Sequence, residues 1–420
     1  MCVPCRLIGA SLGRLTASRP ASLRDLAAAR GISFCLVTSR LSHLECSRCR
    51  RRHAAEEVQQ RCPCGGTLLC RYDVKGLSLE ALRARPPGTW RYRELLPVRR
   101  DPVSLGEHET ALLFLPRLSE RWGAEVWVKD DGSLPGSTFK ARGACVALSR
   151  AVELGVKKVV MPSAGNAGGT WSLYAARAGV EITVVMARTA PSANQAEVIA
   201  AGGDLELVDG TIADAGSRAR ELAEETGAFL AATFSEPYRL EGKKAAWLEV
   251  FDARGTERSM AFPRTLVMPV GGGVGAIAAA KAAEEVAALG WADGEPARLV
   301  GVQSDECAPI VRAFEEGSDD VAPWESDPRT VAAGLRVPFP AEGTLVLRCI
   351  RESGGEMTAV AEKDIVGAMR DLATSEGVFA GPEGATTVLA GERLARQGKL
   401  EGPVVLYNTA SAAKYVDLLT

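Results

Sequence analysis

From about residue 110 onward, apolar positions alternate between two rhythms. Short runs rich in β-branched residues, Val126-Trp127-Val128, Lys158-Val159-Val160-Met161 and Ile182 to Met186, predict strands. Between them, Ala144 to Leu154 and Thr170 to Ala178 carry apolar residues every three or four positions and predict helices. The same rhythm returns in strand Thr265 to Val270, helix Ala276 to Leu289, strand Leu299 to Gln303 and a last strand, Val404 to Tyr407. Strands alternating with helices of this length imply βαβ units, hence an α/β fold whose parallel sheet is covered on both faces. In such sheets ligands sit beyond the carboxyl ends of the strands, where loops meet helix N-termini. The residues that follow each strand are therefore where chemistry is sought.

The first hundred residues break this rhythm. Residues 1–40 hold six arginines and a single acidic residue, Asp25, without core periodicity. Such a composition marks a targeting segment or a start assigned too far upstream. Residues 1–42 are taken as an extension of the second kind, disordered or outside the working chain. Residues 43–75 are short, polar and cysteine-paired, and are expected to form a small module. Residues 76–109, rich in Pro and Arg, form a linker and lead-in, and residues 110–420 form the α/β region.

Composition narrows the function. With 420 residues, a net charge of -2 and 24% charged residues, the chain has no general attraction for nucleic acid or anionic membrane, so an anion must be held by a local site. No apolar run approaches the ~18 residues that would cross a bilayer. Eleven cysteines, an odd number spread thinly, argue against a secreted disulfide framework and fit a reducing, cytoplasmic setting.

Five constellations carry candidate chemistry. Cys46, Cys49, Cys62 and Cys64 form two knuckles, which suit a closed, structural tetrahedral zinc site; four unrelated thiols are the plainer alternative. Pro135 to Gly143 places Lys140 between a small-residue turn and a helix. A lysine fixed and partly desolvated there reacts with an aldehyde, although a lone Lys at a helix start is more often a solvated charge. Ser163-Ala164-Gly165-Asn166 follows a strand and opens a helix. Its amides suit a carboxylate and the Asn166 amide an aromatic oxygen, against the alternative of a plain Gly-rich turn. Gly271-Gly272-Gly273-Val274-Gly275 brings several N–H groups to a positive helix end, a phosphate cradle without the lysine of a P-loop or the fingerprint of a dinucleotide fold. Finally, Thr409 follows the last strand, where a hydroxyl suits a pyridine nitrogen. The histidines, His43, His53 and His108, show no ligand spacing, and Cys145 and Cys307 are expected in the core.

In this order, lysine loop, Ser-x-Gly-Asn loop, glycine-rich loop and terminal Thr, the chain resembles the tryptophan-synthase-β-like, fold type II enzymes that use pyridoxal 5′-phosphate (PLP). Within them it is most similar to the threonine synthases. The resemblance runs from about residue 43 to 420 and includes Glu236-Pro237-Tyr238-Arg239-Leu240-Glu241-Gly242-Lys243-Lys244, Gly334-Leu335-Arg336 and Pro382-Glu383-Gly384-Ala385. It implies two open, mostly parallel α/β subdomains with PLP between them, behind a zinc ribbon, in a homodimer acting on a small amino acid. It also implies that Lys140 forms the Schiff base and shuttles protons, and that Asn166 meets the ring oxygen. Gly271, Gly272, Gly273, Val274 and Gly275 would hold the phosphate, Thr409 would face the ring nitrogen, and Ser163, Ala164, Gly165 and Asn166 would take the substrate carboxylate. For a threonine synthase the substrate would be O-phospho-L-homoserine, whose leaving phosphate needs a second anion site; Arg239, Lys243 and Lys244 are the candidates, or else a solvated charged turn. Ala141, His108, Ala111 and Ala410-Ser411-Ala412-Ala413 depart from the threonine synthase pattern. A small residue after the lysine also occurs in threonine and serine dehydratases, the alternative activity. A PLP-binding protein without catalysis is a third reading, against which the retained Lys140 weighs.

Overall fold

Two parallel sheets form from interleaved segments of the chain. The computed structural model describes residues 39–326 and 328–420, so the expectation for residues 1–42 falls almost wholly outside the described residues. The larger sheet has six strands in the order Glu356–Val360, Arg298–Ser304, Thr265–Pro269, Val404–Asn408, Val126–Asp130 and Leu112–Phe114, all parallel except the last pair. The smaller runs Asp204–Val208, Glu181–Ala187, Lys158–Pro162 and Phe229–Leu230, all parallel. Strand Val404–Asn408 is buried at every residue, and Arg298–Ser304 from Leu299 onward. Helices on both faces require this, and it explains why these strands stand out as continuous apolar runs. Edge strands Leu112–Phe114 and Glu356–Val360, and the small-sheet strands Asp204–Val208 and Phe229–Leu230, gave no such signal, because they are short or broken by acidic residues.

Helix Lys140–Glu153 follows strand Val126–Asp130 of the larger sheet and leads into strand Lys158–Pro162 of the smaller one. Every residue from Ala141 to Ala151 in it is buried, as is every residue from Arg239 to Phe251 in helix Arg239–Ala253. The two helices approach so closely that a side chain at Gly242 would collide with the Arg142 carbonyl, so only glycine fits there. Interior helices of this kind bury charged residues as well, and those must find partners or serve a ligand.

The cysteine-paired segment forms a three-stranded antiparallel ribbon, Arg52–His53, Leu41–Cys46 and Leu68–Tyr72. Too small to bury much surface alone, it shares its core. Its Leu41, Leu44, Leu68 and Cys70 belong to one buried cluster with Ala144 and Leu148 of the Lys140 helix, Met161 of the small sheet and Tyr238. Among the described residues, no helix is long and apolar enough to cross a membrane.

Candidate active site

The lysine loop is stitched to the end of the last strand. Thr138 bridges Ala410 in antiparallel fashion, Phe139 N–H and Thr138 Oγ1 both donate to the Thr409 carbonyl (2.8 and 2.9 Å), and Ser411 N–H donates to Ser137 O (3.0 Å). Lys140 and Thr409, distant in sequence, are therefore neighbours. Thr409 is buried, and its hydroxyl makes no hydrogen bond among the described residues. The Lys140 ammonium lies 4.8 Å from the centroid of the Phe139 ring. Burial pushes its pKa down to about 8, with Arg239 acting in the same direction and the Glu383 carboxylate opposing. At pH 7 about a tenth of such an amine is free base, against well under a thousandth for an ordinary lysine.

Helix Asn166–Ala178 starts at the carboxyl end of strand Lys158–Pro162. The Ser163 hydroxyl is occupied by its own turn, donating to Gly165 O (2.9 Å) and accepting from Gly168 N–H (3.0 Å). An anion at this end would meet the first helical amides. Asn166 Nδ2 donates to the Tyr415 hydroxyl (2.7 Å), and Asn166 Oδ1 is buried without a partner among the described residues.

Beyond strand Thr265–Pro269, residues 271–275 wrap the start of helix Val274–Ala288. Among the described residues no acceptor takes their N–H groups. Gly273 has φ of 83°, and a side chain on it would collide with Val346; one on Gly271 would collide with the Gly334 carbonyl. By contrast, a Cβ on Gly275 would meet nothing within 4 Å and one on Gly272 only Thr233, at 3.6 Å. Free amides facing open space at a positive helix end make an anion cradle.

The three candidate cations part company. Arg239 is tied to Glu236, Ala231 O and Thr233 Oγ1, and stacks on Trp171 at 4.7 Å. Lys243 lies 4.3 Å from the Phe139 centroid, on the ring that Lys140 also approaches, and has no carboxylate partner among the described residues. Burial, then Lys140 and Arg239, hold its pKa well below the ordinary value, while Glu236 opposes them. Lys244 instead is turned into a buried cluster, 2.7 Å from Glu241 and 2.6 Å from Glu285, where Lys281 also sits and the ribbon's Tyr72 ring covers it. The Lys244 charge is thus already answered by Glu241 and Glu285, which leaves it less suited than Lys243 to a substrate anion.

Two further side chains enter here: Tyr415, which the sequence did not single out, and Glu383, which it named only as part of the Pro382-Glu383-Gly384-Ala385 resemblance. Glu383 Oε1 accepts from Gly334 N–H (2.7 Å) and the Tyr415 hydroxyl (3.0 Å), while Oε2 is buried with no partner among the described residues. Just behind Lys140, Arg142 forms a sealed cluster with Asp131 (2.7 Å), Glu249 (2.7 Å) and Lys129, which itself contacts Glu249 (2.6 Å). In the ribbon, the sulfurs of Cys46, Cys49, Cys62 and Cys64 all lie within 4.8 Å of one another, and Cys70 stands apart against Pro237 O.

A nucleophilic amine, an anion cradle, an amide whose oxygen is unpartnered and a hydroxyl without a partner thus converge where a phosphorylated aldehyde cofactor would fit. The family described as pyridoxal-phosphate dependent enzymes matches residues 103–410. The chain belongs to that family. The threonine synthase of Methanosarcina acetivorans is 33% identical over 361 residues, covering 85% of this chain and 87% of the relative. That of Methanocaldococcus jannaschii is 32% identical over 364 residues, covering 85% and 88%. These relatives place the chain among the threonine synthases, as a PLP-dependent lyase. Among solved structures, a threonine deaminase from T.th. superposes with a TM-score of 0.62 at 26% identity, covering 80% of this chain and 98% of that one. Maize serine racemase also gives 0.62, at 21% identity over 72% of this chain and 89% of that one, a likeness of fold alone.

Proposed function

We propose that this enzyme converts O-phospho-L-homoserine and water into L-threonine and inorganic phosphate. The observation that carries the substrate is Lys243, a buried amine beside Lys140 and Arg239 that has no carboxylate partner among the described residues and that an incoming anion would favour in its charged form. A phosphate ester would supply the missing negative charge.

Bound PLP supplies an electron sink that acidifies hydrogens near the amino-bearing carbon of the substrate. The free N–H groups of Gly271, Gly272, Gly273, Val274 and Gly275 would hold the cofactor phosphate, the second Nδ2 hydrogen of Asn166 would suit the ring oxygen, and the unpaired Thr409 hydroxyl would suit the ring nitrogen. A neutral hydroxyl would donate a hydrogen bond to that nitrogen and leave it unprotonated, whereas a carboxylate would hold a proton there. At the helix start the free N–H groups of Ala164 and Asn166 would receive the substrate carboxylate, because Ser163 N–H already donates to Val185 O (3.0 Å) and Gly165 N–H to the Ser163 hydroxyl (3.3 Å). The free Lys140 amine would remove the Cα proton and return protons to the carbon chain while phosphate leaves Cγ and water adds at Cβ. Arg239 and Lys243 hold the departing phosphate.

The cysteine cluster is proposed to hold structural zinc. Sulfur contacts of 3.4 Å for Cys46 to Cys64 and 3.6 Å for Cys49 to Cys62 fit a tetrahedron whose ~2.3 Å bonds place sulfurs about 3.8 Å apart. Metal analysis of wild type and Cys46→Ser tests this, with one zinc per chain expected only in the former. The assembly is taken as a homodimer on the family resemblance. The activity is tested by incubating the enzyme with O-phospho-L-homoserine, L-threonine or L-serine and measuring phosphate, threonine and 2-oxo acid. Equal phosphate and threonine from the first substrate is the expected result. A 2-oxo acid from threonine or serine, without phosphohomoserine turnover, would identify a dehydratase instead.

A further inference from the structure

Glu383 lies in the first turn of helix Pro382–Arg396 and is 5% exposed. One of its oxygens is held from two sides, by the Gly334 N–H and by the Tyr415 hydroxyl. Gly334 is the residue whose carbonyl backs Gly271 in the anion cradle. The Tyr415 hydroxyl in turn accepts from Asn166, so one oxygen joins the loop of the smaller sheet to a helix of the larger one. Lys414 makes a second such tie, to Glu197 of helix Ser192–Ala200. The other oxygen of Glu383, and the side-chain oxygen of Asn166, are buried and unpartnered among the described residues. Leaving a buried acceptor unpaired costs about 1–3 kcal/mol, and more for a charged group, so this pair of orphan atoms marks where a donor belongs.

The charged groups facing this point are few. Lys140 is opposed by Glu383 and accompanied by the cations Arg239 and Lys243, with Glu236 behind Arg239; Glu197 and Lys414 lie on the far side of Tyr415. Glu236 is already committed to Arg239, which leaves Glu383 as the carboxylate able to answer a cationic nitrogen on Lys140.

We propose that Glu383 is a positioning residue whose unpartnered oxygen faces the nitrogen of Lys140 and holds it protonated when the cofactor is bound, while Tyr415 fixes Asn166 against the ring oxygen. This rests on PLP being carried by Lys140. The amide of Glu383→Gln keeps an acceptor for Gly334 and Tyr415 but removes the charge. An opposite charge within about 4–6 Å moves a pKa by about one to three units.

The experiment is a pH titration of the cofactor's visible absorbance in the PLP-loaded enzyme, for wild type, Glu383→Gln and Tyr415→Phe, with borohydride trapping and peptide mass spectrometry of each. Glu383→Gln should move the midpoint down by about one unit or more. Tyr415→Phe should leave the midpoint in place but raise the dissociation constant for PLP several-fold. Trapping on Lys140 with an unmoved midpoint in Glu383→Gln overturns the proposal for Glu383, and unchanged PLP affinity in Tyr415→Phe overturns the link to Asn166, including if Glu383→Gln does not fold. Trapping on another residue, or on none, would instead overturn the assignment of Lys140 itself.

Discussion

Two clusters of buried charge begin on the same helix, two residues apart, and they are built in opposite ways. Around Arg142, two cations, Arg142 and Lys129, face two carboxylates, Asp131 and Glu249, with Thr110 and Tyr407 each donating to Asp131 at 2.7 Å. Burial alone would raise the Asp131 carboxyl, but the adjoining guanidinium holds it below the usual range. Around Lys140, three basic side chains, Lys140, Arg239 and Lys243, face Glu236 and Glu383, and the set retains the unpaired Lys243 amine and an orphan carboxylate oxygen. A buried charge that is fully answered is part of the scaffold. One left unanswered in an otherwise well-packed interior is where a ligand completes the electrostatics.

Substitutions at these positions test the contrast, beginning with the largest effect. Lys140→Ala should lower turnover at least about 10³-fold while leaving the melting temperature unchanged or higher, because it removes a desolvated amine that makes no ion pair. Activity and calorimetry on one preparation check both halves. Arg142→Met should behave the other way, losing about 3–5 kcal/mol in denaturant titration by stranding Asp131 and Glu249 in the interior. Full stability in that variant would erase the distinction between the clusters.

Lys243→Met should raise KM for O-phospho-L-homoserine about 10- to 100-fold, the worth of a charge-assisted hydrogen bond of about 1.5–3 kcal/mol, without destabilising the fold. Lys244→Met, its sequence neighbour, should cost stability instead, since Glu241 and Glu285 lose their partner. The mildest effect is one of pH. The neutral form of Lys140 is the nucleophile and its pKa is lowered to about 8, so the rate at which apoprotein captures PLP should climb as pH rises from 7 and level off above about 8. Stopped-flow absorbance checks it; a rise continuing towards pH 10 would mean the amine is not desolvated.

Much of the catalytic unit was legible locally. Apolar periodicity located the strands Val126–Asp130, Lys158–Pro162, Glu181–Ala187, Thr265–Pro269, Arg298–Ser304 and Val404–Asn408, and the helices Lys140–Glu153, Asn166–Ala178 and Val274–Ala288, to within a few residues, while the helices between Ala187 and Thr265 and between Ser304 and Val404 went unread. Small-residue loops placed after those strands pointed to Lys140, Asn166, residues 271–275 and Thr409, since a loop that must approach a ligand shows its glycines and its polar group within a few positions. The four cysteines were legible for the same reason, with both knuckles carried by one short segment.

Contacts between distant segments were not legible. Lys243 and Lys244 look alike in sequence, yet a turn of about 100° along one helix sends the first to Phe139 and Lys140 and the second to Glu241 and Glu285. Ser163 looks like a free ligand until its hydroxyl is found capping its own turn. Glu383 and Tyr415 gain meaning only when the end of the chain returns to Asn166, and the ribbon, set apart by composition, shares its core with the Lys140 helix. The sequence by itself determined the parallel α/β architecture and the chemical groups at its strand ends, because periodicity and turn chemistry are local properties of the chain. Tertiary structure alone decided which buried charges are answered and which await a ligand, because that depends on which partner each side chain meets across the fold.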